Sequence, residues 1–425
     1  MNSGYTAQSV PQGKTIAVIG AGIVGICCAA YLVREGHRVI LYDRRGPGET
    51  TSFGNLGGVQ SLAATPLSLP GMLKDVPGWI LDQEGPLVIR PRHFPRAAGW
   101  LWKFWRESSL ERVLHNARAL NALNSHSATS HIELAKWAGV SDLIQVPGQL
   151  YVWVSRKNYE KAQISRKIWN SSGHDLIELN ADQIGELEPD LGRRFEVGLN
   201  IPGNGYCRNP YRLCVAIADK AIAEGVEFRR EEVNGFVLNN GGIGAVQTDR
   251  GVQQVDGVVM AAGMWSKRLL ASLGYSVPLE SHRGYHVTIS SAKTTLSRML
   301  MVIDRKVAIT PMETGLRIGG TVELAGLDAL PDYRRARSFL SIGASLLPGL
   351  DTSMATEWMG HRPQTPDTVP IIGKTDRIAN LFLALGHGQM GLLGSAPTGR
   401  LIADLVAERK PYIDVTPYRI ERFSR

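Results

Sequence analysis

The pattern of apolar and polar positions first becomes regular at Ile16-Ala17-Val18-Ile19, a short apolar run of the length and branching of a buried strand. A glycine-rich turn, Gly20-Ala21-Gly22-Ile23-Val24-Gly25, follows, then an apolar helical pattern to Glu35 with Gly36 as its stop. A second run, Arg38-Val39-Ile40-Leu41-Tyr42, ends in Asp43. Further on, Leu110, Val113, Leu114, Ala117, Leu120 and Leu123 predict one amphipathic helix over 110–138. The pattern predicts a strand over 148–154 and a helix over 157–171. Asn209-Pro210 reads as a helix start, with Asn as N-cap and Pro at the first helical position, and Gly225 as the stop. The strand resumed at Val226 is followed by a hairpin through Asn239-Asn240-Gly241-Gly242. A buried strand then runs over 255–260 into Ala261-Ala262-Gly263, and Trp265-Ser266 opens a helix. Strands are expected at 281–289, 299–303, 306–310, 316–322 and 381–385, a helix end at 339–347, and a final helix over 395–409 with Leu401, Ile402, Leu405 and Val406 on one face.

The order strand, glycine turn, helix, strand, acid over 15–43 gives the G-x-G-x-x-G at 20–25 its dinucleotide-binding context, a Rossmann-like unit. Gly20 permits the tight turn. Gly22 lets a pyrophosphate approach the backbone, and Gly25 lets the helix pack on the strand. The free N–H groups of the turn, including those of Ala21, Ile23 and Val24, and the positive helix end suit phosphate. Asp43, 18 residues after Gly25, suits ribose hydroxyls, with Arg44 beside it.

Length and charge narrow the picture. At 425 residues the chain exceeds one ordinary core, so two lobes are expected. The net charge of +8 favours anionic substrates or an anionic membrane surface, or is simply a solvated basic surface. No zinc-finger spacing, RNA-binding signature or dense basic tract is present, so nucleic acid is not an expected partner. Cys27, Cys28, Cys207 and Cys214 lack metal-ligand spacing, and the adjacent pair reads as small core residues. No secretory signal and no membrane-spanning apolar stretch is visible. The expected location is therefore cytoplasmic, with a peripheral position on the inner face of the cytoplasmic membrane as the finer alternative.

Past the ribose-binding acid, Thr51-Ser52-Phe53-Gly54-Asn55-Leu56-Gly57-Gly58 gathers hydroxyls, an amide and glycines. A nicotinamide cofactor has no need of such a segment here. A flavin needs a long track of backbone and hydroxyl donors along its diphosphate, ribityl chain and ring. These motifs resemble the D-amino-acid oxidase superfamily of FAD enzymes, and more closely its bacterial D-amino-acid dehydrogenase branch. The resemblance implies FAD held by the glycine turn, Asp43, Arg44, Thr51, Ser52, Asn55, Leu56 and Gly57. It also implies an adenine contact near Val233, a close passage at Ala262 and Gly263, and a flavin-contacting turn at Gly388, Gln389, Met390, Gly391 and Leu392. No cysteine lies between Gly386 and Gly399, so FAD is expected to be non-covalent.

By the same resemblance, Arg362 in Gly360-His361-Arg362-Pro363 binds the substrate carboxylate. A guanidinium presents two parallel donors to a carboxylate, which agrees; an arginine bonding loop carbonyls is the plain alternative. Tyr285 and His286 are candidates to flank the substrate, with His387 beside the flavin turn and Glu323 weaker still. Between 62 and 135, Trp79, Trp100, Trp102 and Trp105 gather around Phe94 and Phe104 with Arg96, Lys103 and Arg106 between them. This reads either as a cover packed on the other lobe or as a helix resting on a membrane, where electrons pass to a quinone.

The expected fold is α/β with an α+β second lobe. Segments 14–62, 200–270 and 355–415 build a discontinuous FAD-binding domain. Segments 63–199 and 271–354 build a mixed, largely antiparallel substrate domain, and 1–13 is a flexible N-terminus. The expected activity is FAD-dependent dehydrogenation of a D-amino acid, with D-proline or hydroxy-D-proline as a narrower expectation and a quinone or other non-oxygen acceptor. The alternatives are a glycine- or sarcosine-type oxidase using oxygen, an FAD-bearing subunit of a larger dehydrogenase complex, and a hydroxy-acid dehydrogenase.

Overall fold

A computed structural model describes residues 13–72, 85, 87–294 and 296–424 of the chain. The strand Thr15–Ile19 lies inside a six-stranded sheet ordered Glu227–Arg230, Arg38–Asp43, Thr15–Ile19, Gly257–Met260, Leu381–Leu385, Ile371–Lys374. The first five strands are parallel and the last antiparallel. Its inner strands are apolar at consecutive positions because both faces are covered. Ile16 and Val18 point to a core shared with helices Ile23–Arg34, Pro210–Ala223 and Gly391–Val406, while Ala17 and Ile19 point to a second core containing Val233, Val246 and Leu270. Cys27 and Cys28 are free thiols buried in the first of these cores. The helices at 23–34 and 391–406 meet at Gly399, where a Cβ would lie 2.7 Å from the Cys27 backbone.

The second sheet has ten strands among the described residues, running from Leu87–Ile89 through Val322–Leu324, Glu280–Ile289, Gly315–Gly319, Val307–Met312, Leu300–Val302, Gln149–Trp153 and Val197–Ile201 to Ile177–Asn180. The tenth, Ala355–Gln364, pairs antiparallel with Glu280–Ile289 along its whole length, from Glu280 opposite Gln364 to Ile289 opposite Ala355. Helix Arg334–Leu346 covers one face through Ala336 and Phe339. The predicted start at Asn209 holds: its side chain accepts from the Arg212 N–H, with Pro210 next in the chain. The predicted hairpin also forms, with Asn240 and Gly241 both at positive φ.

Several elements differ from expectation. The helix predicted over 110–138 is two, Leu110–Asn124 and Ser127–Trp137, broken at the polar Ser125-His126. Leu110 is exposed, so the buried face begins at Val113. The helix predicted over 157–171 is likewise two, Arg156–Lys161 and Gln163–Asn170, parted at Ala162. The strand expected at 316–322 divides at Gly320, whose φ of +156° sets it against the Lys306 carbonyl. The last helix starts at Gly391 rather than 395, keeps Pro397 inside, and ends at Val406; Arg409 instead forks onto Glu35 and Asp404. The ten-residue strand 355–364 was not foreseen, because Trp358-Met359-Gly360-His361-Arg362-Pro363 shows no alternation.

The aromatic segment forms the helix Phe94–Arg106. Trp100 is buried, stacks on Phe104, meets His282 edge-on, and donates to the Pro278 carbonyl at 3.1 Å. Phe94, Trp102 and Trp105 are about half exposed, with Arg106 over the Trp102 ring. The aromatics therefore do not form one cluster: Trp100 packs inward with Phe104 stacked on it, while Phe94, Trp102 and Trp105 face out. Trp79 lies outside the described residues. No helix among them is long and apolar enough to cross a membrane.

Candidate active site

Both sheets border one cavity of about 1200 Å³. At one end, the helix Ile23–Arg34 begins at Gly22 without a side-chain cap. A Cβ on Gly22 would project toward the cavity and meet only Ser52 Oγ, at 3.4 Å. This is an open cradle at a positive helix end, which fits a pyrophosphate. Gly20 holds a φ of +106°, and a Cβ on Gly25 would sit 1.8 Å from the Gly20 carbonyl oxygen, so both glycines serve the turn itself. Asp43 lines the cavity while accepting from Ala21 N at 2.8 Å and Arg45 N at 2.9 Å. Burial raises its pKa against those hydrogen bonds. Arg44 lies over the Trp265 ring at 4.9 Å, and Val233, Ala262 and Gly263 complete this end of the wall.

The 51–58 loop runs along the cavity, pinned from both sides. Ser52 Oγ accepts from Ile23 N at 3.0 Å, and Thr51 Oγ1 donates to the His361 carbonyl at 3.1 Å. Asn55 Oδ1 accepts from Gly57 N, whose φ is +79°. The Leu56 carbonyl accepts from Thr310, and the Asn55 carbonyl from Arg317 at 2.6 Å. At the far end, the helix Gly391–Val406 also starts without a side-chain cap, after a turn through Gly386 and Gly388 at positive φ. Gly388, Gln389, Met390, Gly391 and Leu392 all line the cavity. Two uncapped helix N-termini thus address one elongated cavity, as a dinucleotide with an anion-forming ring requires.

The long strand pair supplies the remaining wall. Side chains alternate along a strand, so Gly284 and His286 share one face with Trp358, Gly360 and Arg362 opposite. The Arg362 guanidinium lies over Gly284, where a Cβ would be 2.3 Å from it. Trp358 covers Gly360 and Gly54 in the same way and stacks on His286, ring centroids 5.0 Å apart. Arg362 is half-buried and donates to the Thr321 carbonyl at 3.0 Å. Among the described residues no carboxylate pairs with it, and burial alone lowers its pKa to about 10. Burial also pushes His286 well below the imidazole range, helped by Arg317 and Arg362 and opposed by the Gly54 backbone.

Of the residues singled out from the sequence, 22 line this cavity; Ala21, Gly25 and Gly57 support it from behind. Three candidates, Tyr285, Glu323 and His387, need correction in role. The Tyr285 side chain takes the opposite face of its strand. Its hydroxyl donates to Glu323 at 2.6 Å and accepts from Asp332 N, and its ring meets Tyr333. Glu323 is occupied on that same face by Arg90 at 2.7 Å and Arg283. Both belong to the packing beneath helix 334–346, so neither side chain flanks the substrate. His387 lines the cavity but bonds Thr398 through Nε2 at 2.8 Å, and burial lowers its pKa to about 3. It ties the flavin-side turn to the following helix. Sequence reasoning missed Gly284, Gly360, Trp358 and Arg317. A glycine inside a strand signals close approach of another group, so the first two carried a usable signal.

A family described as DAO, FAD dependent oxidoreductase, matches residues 15–405. The chain belongs to this family. A D-amino-acid oxidase of Bradyrhizobium diazoefficiens is 38% identical over 97% of this chain and 100% of its own length. A D-amino acid dehydrogenase of the same organism is 32% identical over 96% and 99%. Among solved structures, L-proline dehydrogenase from P. horikoshii superposes with a TM-score of 0.75 at 20% identity, covering 98% of this chain and 99% of that one. Glycine oxidase from Geobacillus kaustophilus gives 0.75 at 21%, covering 96% and 99%. The protein is an FAD-dependent oxidoreductase, and the cradle at Gly22, the Asp43 end and the turn at 388–392 fit that cofactor.

Proposed function

We propose that the protein oxidises a D-amino acid, passing its electrons to a quinone or other non-oxygen acceptor. The observation that carries the reading is Arg362, a half-buried guanidinium on the cavity wall with no carboxylate partner among the described residues. A partly desolvated charge without a counter-charge gains from a ligand that completes it. A substrate carboxylate is the partner of matching shape and charge. FAD, when bound, supplies the two-electron acceptor for the substrate Cα–H. The chain's own residues do the rest: Arg362 fixes the carboxylate, the Gly284 and Gly360 floor admits it, and Trp358 and the 51–58 loop close the wall around it. Oxidation of a primary amine ends in a 2-oxo acid and ammonia after hydrolysis. D-proline or a hydroxy-D-proline would instead end in a cyclic imine.

The D-amino-acid reading draws on the two Bradyrhizobium relatives. A second reading, direct use of oxygen, is favoured by the oxidase name of the relative at 38% identity. The exposed Phe94, Trp102 and Trp105 beside Lys103 and Arg106 support a peripheral membrane contact for the quinone reading. Segments 14–62, 200–270 and 355–415 then act as the FAD-holding part, and the remainder frames the substrate. The test is anaerobic reduction of the flavin by a panel of amino acids, followed by oxygen uptake without added acceptor. Reduction by D-amino acids with negligible oxygen uptake supports the proposal. Rapid oxygen uptake moves the assignment to an oxidase, and reduction by 2-hydroxy acids alone overturns it.

A further inference from the structure

This inference rests on the amino-acid reading and names a second anchor for the substrate. Gly284 and His286 are two positions apart on one strand face, a spacing of about 6.7 Å. Arg362 lies over the first, and the second stands against Trp358 at the cavity wall. A carboxylate held by Arg362 at Gly284 brings the amino group of an α-amino acid within reach of position 286. His286 is buried and held by its indole stack, so its ring has a fixed orientation. A neutral imidazole always keeps one ring nitrogen as an acceptor. Burial keeps the ring neutral, and the charges of Arg317 and Arg362 act in the same direction.

We propose that the cavity-side nitrogen of His286 accepts an N–H from the substrate amino group, making His286 the amine anchor opposite the carboxylate anchor Arg362. With both ends of the amino acid held, rotation about the bond from carboxyl carbon to Cα is arrested, and the Cα–H has one presentation to the cavity. A carboxylic acid lacking the amino group uses only the first anchor.

The test compares two ligands on the FAD-loaded full chain. One is the D-amino acid that reduces the wild-type flavin fastest. The other is the acid of the same carbon skeleton without the amino group. The amino acid's dissociation constant comes from the concentration dependence of anaerobic flavin reduction, and the plain acid's from competition. His286→Phe keeps a ring against Trp358 but has no acceptor. It is expected to weaken the amino acid about tenfold, the scale of one lost hydrogen bond, and to leave the plain acid unchanged. His286→Gln keeps an acceptor and is expected to retain the wild-type ratio of the two constants. That ratio decides the matter if the phenylalanine variant does not hold flavin. Equal weakening of both ligands, or of neither, in the phenylalanine variant overturns the inference, as does loss of the ratio in the glutamine variant. If no amino acid reduces the wild-type flavin, the functional reading itself fails first.

Discussion

The guanidinium of Arg362 occupies the space that a side chain on Gly284 would need: a Cβ there would lie 2.3 Å from its carbon and from one terminal nitrogen. The two residues sit on adjacent antiparallel strands, with His282 opposite Arg362 and Gly284 opposite Gly360. A bare position on one strand is thus the seat of the half-buried cation on the other. Gly284→Ala should displace Arg362 without removing it. The expected result is a loss of amino-acid kcat/KM on the order of tenfold or more, carried mainly by KM, from loss of the bidentate geometry. Steady-state kinetics with the flavin content measured in parallel would check this; unchanged KM would contradict it.

Arg362→Ala should cost about 10²-fold or more in kcat/KM, since a charge-assisted pair with the substrate is lost. It should leave the melting temperature level or higher, because a partly desolvated charge lacking a carboxylate partner is removed. Were Arg362 only a brace on the Thr321 carbonyl, the variant would melt lower with substrate affinity intact.

Tyr285→Phe separates the two faces of the same strand. The tyrosine hydroxyl bridges Glu323 and the Asp332 N–H, away from Arg362. Denaturant unfolding should show a loss of about 1–3 kcal/mol, the scale of one hydrogen bond to a buried charged group, with Glu323 still paired to Arg90 and Arg283. Turnover should be nearly unchanged. A large fall in turnover at unchanged stability would return Tyr285 to the substrate.

Acid should weaken the fold before the carboxylates titrate. Burial lowers His282 and His387 to about 3 and His361 to about 4, against an ordinary 6.5. The unfolded chain takes up these protons first as pH falls. The histidines' contribution is therefore fully present above about 6.5 and is lost progressively toward pH 3–4. Urea midpoints at saturating FAD should fall between pH 7 and 5. A midpoint that is flat or rises over that interval would contradict this.

Much of the cofactor end was legible in the chain because its requirements are local. Gly20, Gly22 and Gly25 meet backbone constraints within six residues, and Asp43 reaches Ala21 across two adjacent parallel strands. The helix start at Asn209 and the hairpin at Asn240-Gly241 were equally local. The substrate end is different. Trp358, Arg362, Gly284 and His286 meet only when two strands about 80 residues apart in the chain pair, as Gly284 does with Gly360. Arg317 reaches the Asn55 carbonyl across 262 positions. Tyr285 and His286 looked equivalent in the sequence. They were divided by strand alternation, which shows only once one face is known to be occupied. The break at Ser125-His126 and the early start of the last helix reflect packing of helix Ser127–Trp137 on helix Gly391–Val406, where His131 meets Ser395 at 3.2 Å.

Anaerobic flavin bleaching tests the central claim most directly. The FAD-loaded protein is mixed with D- and L-amino acids, hydroxyprolines, sarcosine and 2-hydroxy acids, beside its Arg362→Ala variant. The account predicts rapid bleaching by D-amino acids in the wild type, lost in the variant while its flavin stays bound. Bleaching that persists in the variant, or that no amino acid produces in the wild type, would contradict it.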